Sequence, residues 1–151
     1  MNLYSIALFL HIVGSLLLFA LLTIEGVALR QGFMVARLNR VLGPISALAI
    51  LVPGAYMVAS QWGLKGWIVV GIASWVLIAV GGAATGVGLL TGRLDIRAAA
   101  VSWSVRIGMA LAVVFIMTVK PDLAVSTIVV VAGAVFGGAA GSATVRRLTS
   151  A

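Results

Sequence analysis

The sequence predicts an all-α fold, a polytopic transmembrane bundle of five helices with the N-terminus outside and the C-terminus cytoplasmic. Three observations predict it. The 151 residues are 63% hydrophobic and 9% charged, with a mean hydropathy of +1.26, far more apolar than soluble domains are. Five apolar runs recur, each close to the ~20 residues a helix needs to cross a ~30 Å hydrocarbon core. Most of the basic residues lie in alternate breaks between runs, which places them on one side of a bilayer.

The runs cover 3–29, 44–61, 66–90, 98–119 and 123–143. The first is too long for a signal-peptide core and has no basic stretch before it, so it reads as a permanent span. A polar stretch, 30–40, separates it from the second. Trp62-Gly-Leu-Lys65 forms a compact turn before the third span, and Arg93-Leu-Asp-Ile-Arg97 another before the fourth. Lys120-Pro121-Asp122 reads as a tight hairpin, because Pro121 stops the incoming helix and Asp122 can cap the next. The whole of 1–151 reads as one transmembrane domain, with no room for a soluble one.

With five alternating spans, Arg30, Arg37, Arg40, Arg93, Arg97, Arg146 and Arg147 share one side and Lys65 and Lys120 the other, seven against two. That bias sets the orientation, with the arginine side cytoplasmic. Tyr4, Tyr56, Trp62 and Trp67 then lie near the outer interface, where amphipathic rings are favoured. Topology also explains the net charge of +7. No soluble basic face is left to bind phosphates, which excludes a nucleic-acid partner. Cysteine is absent, which excludes disulfides, thiolate catalysis and thiolate-held metals.

Lipid provides no hydrophobic force between helices, so spans associate through close backbone approach at small residues. Gly133, Gly137 and Gly141 repeat every four residues on the fifth span, and Gly82 and Gly86 do so on the third. These stripes imply contact within the bundle or a homodimer interface. Pro53 and Gly54 fall inside the second span, where the missing amide should release the carbonyl near Ala49 and kink the helix.

Three strongly polar ionisable residues lie within the runs: His11, Glu25 and Arg106. Such residues are costly in a membrane and mark candidate sites. At ~100° per residue, His11 and Glu25 return to within ~40° of one face, about 21 Å apart. His11, Gly14, Leu18 and Glu25 therefore form a stripe facing the bundle interior. Glu25 and Arg106 sit in the same half of the membrane at depths about 6 Å apart, which suggests a buried ion pair with a structural role or a role in proton or anion handling. His11 lies in the outer half, at a depth broadly similar to that of Met57 and Met117. It is the one histidine, so bis-His haem ligation within a single protomer is excluded. It can hydrogen-bond within the bundle, ligate haem b or copper together with methionine, or handle a proton or substrate.

Leu10-His11-Ile-Val-Gly14, Pro53-Gly54-Ala-Tyr56-Met57, and Arg106-Ile-Gly-Met109 through Met117-Thr-Val-Lys120-Pro121-Asp122 give the chain, over most of its length, a pattern that resembles small bacterial integral membrane proteins of unknown function. The resemblance implies a bacterial inner (cytoplasmic) membrane location. More distantly, a histidine early in the first span followed by a small residue is similar to copper-resistance D proteins and to membrane-bound, haem-associated protoporphyrinogen oxidases. That likeness implies His11 as a ligand.

No Ser/His/Asp arrangement and no Walker, Rossmann or metalloprotease motif occurs in the sequence. The expected function is therefore a non-enzymatic accessory subunit or small-solute carrier with no cofactor, embedded in lipid as a homodimer or part of a larger membrane complex. The alternative is a haem- or metal-binding redox protein centred on His11.

Overall fold

The computed structural model describes residues 2–31 and 36–149. In order, α1 spans Leu3–Gln31, α2 Ala36–Met57 with a π-helical turn Val58–Trp62 directly after it, α3 Gly66–Leu90, α4 Ile96–Val119 and α5 Leu123–Thr149. No strand occurs among the described residues. Each of the five helices contains a stretch long and apolar enough to cross a membrane: Leu3–Leu29, Val41–Trp62, Gly66–Leu90, Ile96–Val119 and Leu123–Val145. The protein is an integral membrane helical bundle. In hydrocarbon every backbone N–H and C=O must be satisfied internally, and the α-helix does this within each segment.

The helix ends follow from local chemistry. Asp95 caps α4, its Oδ1 accepting the Ala98 N–H at 2.7 Å. Asp122 caps α5 in the expected way, accepting the Val125 N–H at 2.8 Å. Between them, Lys120 closes α4 in the left-handed conformation (φ 56°) and donates its N–H to the Ile116 carbonyl at 2.9 Å, and Pro121 then prevents continuation. Gly63 (φ 63°) ends the π turn, with its N–H on the Val58 carbonyl at 2.8 Å. A glycine fits there because a Cβ disfavours that backbone region.

The second span differs most from expectation. Its helix begins at Ala36 and includes both Pro44 and Pro53, so part of the polar stretch 30–40 is helical rather than loop. Arginine and leucine are good helix formers, and a polar turn can extend past the hydrocarbon zone; the apolar stretch itself starts at Val41. The α-helical pattern runs through Pro53 and Gly54, and the change of helix type comes later, at Val58–Trp62.

The helices group into two compact units. The first contains α1 as far as Ala28 together with α2 and its π turn, and the second contains α3, α4 and α5. In the first, α1 and α2 meet closely at Gly14. A Cβ there would lie 2.7 Å from the Ala49 carbonyl carbon and 2.9 Å from the Ile50 nitrogen. In the second, α4 and α5 interlock through glycine. A Cβ on Gly133 would lie 2.6 Å from the Gly108 oxygen, and one on Gly137 would overlap the Ser104 oxygen. A Cβ on Gly141 would come within 2.7 Å of the Ser104 hydroxyl. The Gly133, Gly137 and Gly141 stripe is therefore an internal seam.

Candidate functional site

Each unit places a polar residue of the spans against glycine. In the first, His11 of α1 is half-buried, and its Nδ1 lies 2.8 Å from the Ile50 carbonyl oxygen of α2. A carbonyl can only accept, so Nδ1 carries the proton, and in the neutral ring Nε2 holds the lone pair. Gly54 makes room for the imidazole, since a Cβ there would lie 3.2 Å from Nδ1. The engaged carbonyl is thus that of Ile50, one residue beyond the Ala49 carbonyl expected from the proline.

Two more bonds fix the same pair of helices. Ser46, which is buried, donates its hydroxyl to the Gly14 carbonyl at 3.1 Å. Trp62 Nε1–H donates to the Tyr4 hydroxyl at 3.1 Å. The contacts Tyr4–Trp62, His11–Ile50 and Gly14–Ser46 descend one helix as they ascend the other, the register of an antiparallel pair. Along α1 the buried positions include Ala7, Gly14, Leu21, Leu22 and Ala28; of the expected stripe Gly14 is among them, and His11, Leu18 and Glu25 are half-buried beside it. Met57 is buried on α2.

In the second unit, Arg106 of α4 is only 5% exposed. It lies along α3, with its Cδ 3.5 Å from the position of a Cβ on Gly81 and its Nη1 3.1 Å from that of one on Gly82. The absence of side chains at these two glycines is what lets the Arg106 side chain lie close against α3. One turn further along α3, Thr85 donates its hydroxyl to the Gly81 carbonyl at 2.7 Å. Its proton is then committed, so at the 2.7 Å Thr85–Ser102 contact the Ser102 hydroxyl is the donor. Arg106, Thr85 and Ser102 thus form one polar zone between α3 and α4.

One expected role changes. A Cβ on Gly86 would meet nothing within 4 Å, so the packing role assigned to both glycines of α3 belongs to Gly82. The Met117 Cε methyl lies against Gly71 of α3. Sequence spacing did not reveal Gly81 or Gly108 as contact points, because each is selected by a partner on another helix.

Among the described residues no group of three or more His, Cys, Asp and Glu could hold a metal ion. Tested against haem or copper, the first unit offers one nitrogen, His11 Nε2, with its ring held by the carbonyl bond on the other side. That is the usual support of a ligating histidine. Comparison of the chain with family models, with curated proteins and with solved structures finds no match.

Proposed function

We propose that this integral membrane helical bundle is a non-enzymatic accessory subunit of a larger assembly in a bacterial cytoplasmic membrane, with its N-terminus outside and its C-terminus in the cytoplasm. The observation that carries the reading is where its intramembrane hydroxyls are directed. Ser15, Thr23, Ser74, Thr85, Ser104, Thr118 and Thr127 all bond the carbonyl four residues earlier on their own helix. Hydroxyls engaged in this way join the helix framework and are not activated by a base, as a nucleophile must be.

Cross-linking in native membranes followed by native mass spectrometry tests the reading. The expected result is the 15.5 kDa chain in an assembly of fixed stoichiometry with a second polypeptide. A chain recovered only by itself, which moves a solute when reconstituted alone in vesicles, contradicts the subunit reading and supports a carrier.

A second reading is favoured by the His11 geometry, in which Nε2 is left as a ligand by the bond from Nδ1 to Ile50. Here His11 would hold haem or copper, and the cofactor would supply the electron-transfer chemistry. An absorption spectrum of gently purified protein from haem-replete cells, with metal analysis, separates the two. A Soret band or stoichiometric copper that is lost in His11→Ala supports this second reading, and a cofactor-free protein supports the first.

A further inference from the structure

His11 and Ser15 stand one helical turn apart on α1, at the edge of its contact with α2. Both are half-buried, with Ala7 and Gly14 buried on one side of them and Leu8 and Ile12 exposed on the other. The proton of each is already committed to a backbone carbonyl. His11 Nδ1–H donates to Ile50 at 2.8 Å, and the Ser15 hydroxyl donates to the His11 carbonyl at 2.9 Å. What remains on this edge is a pair of acceptors, His11 Nε2 and the lone pairs of Ser15 Oγ. Among the described residues no donor reaches either atom.

Depth limits what can supply the missing hydrogens. From Leu3, where α1 begins, the chain rises about 12 Å to His11 at 1.5 Å per residue, which is near the middle of a ~30 Å hydrocarbon core. Water is scarce there, and an acceptor without a donor is costly. A ligand for this edge therefore arrives through lipid and brings its own hydroxyls. The two residues are about 6 Å apart along the helix axis, so a single hydroxyl can serve only one of them. A rigid ring with hydroxyls at opposite ends, and apolar elsewhere, can serve both.

We propose that the His11–Ser15 edge of α1 binds a lipid-soluble quinol, a para-dihydroxy aromatic ring whose two hydroxyls donate to His11 Nε2 and Ser15 Oγ. The site goes beyond the subunit reading and rests on its cofactor-free His11, because Nε2 cannot ligate a metal and accept a hydroxyl at once. A redox preference follows. The oxidised quinone carries carbonyls in place of hydroxyls and has nothing to donate to two acceptors.

The test uses the full chain in lipid nanodiscs, titrated anaerobically with an alkyl-substituted para-benzoquinol, with the matching benzoquinone and with a long-chain alkanol. His11 is the one histidine, so nitrogen NMR of ring-labelled protein reads this site alone. The quinol is expected to move the Nε2 resonance toward that of a protonated nitrogen and to leave Nδ1 protonated. It should bind more tightly than the quinone by a factor on the order of ten, as two modest hydrogen bonds imply. Ser15→Ala should lose part of this preference. His11→Asn, which keeps a donor for Ile50 and has no atom in place of Nε2, should lose all of it, with the thermal transition unchanged in both variants. Equal affinity for quinol and quinone or for quinol and alkanol, an unmoved Nε2 resonance at saturating quinol, or a preference that survives in His11→Asn would overturn the proposal and leave the subunit reading standing. Stoichiometric haem or copper held by His11 would overturn the proposal and the cofactor-free reading together.

Discussion

Gly137→Leu is expected to cause a large loss of stability. Even the first added carbon at Gly137 overlaps the Ser104 oxygen and lies 3.0 Å from the Ser104 carbonyl carbon and 3.2 Å from the Val105 Cα. The obstructing atoms are backbone of a neighbouring helix and cannot turn aside as a side-chain tip can. Overpacking of this kind costs about 3 kcal/mol, and lipid supplies no hydrophobic force to hold the separated helices together. Val135→Leu adds similar bulk two residues away, where the side chain is 64% exposed, and should have little effect. Thermal unfolding in detergent, combined with cross-linking, checks both variants. Lost stability in a chain that is monomeric throughout identifies the internal seam, and equal behaviour of the two variants removes it.

Arg106→Gln is expected to be the most damaging removal of charge. The side chain is 5% exposed and extends along Gly81 and Gly82, so it cannot be replaced by water without opening α3 from α4. If Arg106 has an ion-pair partner, its truncation leaves that partner's charge uncompensated, at a cost of about 3–5 kcal/mol. If the partner is Glu25, Glu25→Gln alone should also destabilise, and the double substitution should recover part of the combined loss. The coupling energy of the double-mutant cycle is the diagnostic quantity. Additive losses remove Glu25 as the partner and leave the effect of Arg106 to its packing on α3.

The spans were legible because the membrane permits so few solutions: an apolar run of the right length has to be a helix, and Asp122 after Pro121 caps one in any environment. The start of α2 was harder to read, since polarity in 36–40 signals the edge of the hydrocarbon and carries no instruction to leave the helix. The same distinction separates the two kinds of glycine. Gly133, Gly137 and Gly141 announce a seam by their spacing, whereas the facing helix answers with a mixed stripe of small residues, Ser104, Gly108 and Ala112, in which glycine itself does not repeat. Gly86 shares the spacing of Gly82, yet only Gly82 faces a neighbour's side chain, because spacing defines a stripe and says nothing of where along it the next helix arrives. His11 was identifiable as a buried polar group. Its acceptor, Ile50, depends on the register of α1 against α2, which is set by Gly14 and Ser46 together and appears in neither segment by itself.

The central claim is a bundle of five spans that places its arginine-rich breaks in the cytoplasm, and reporter fusions along the chain test it most directly. Fusions after Lys65 and Lys120 should report the outside, and fusions after Arg40, Arg97 and Arg147 the cytoplasm, as seven arginines against two lysines require. A fusion after Arg147 that reports the outside would contradict the account.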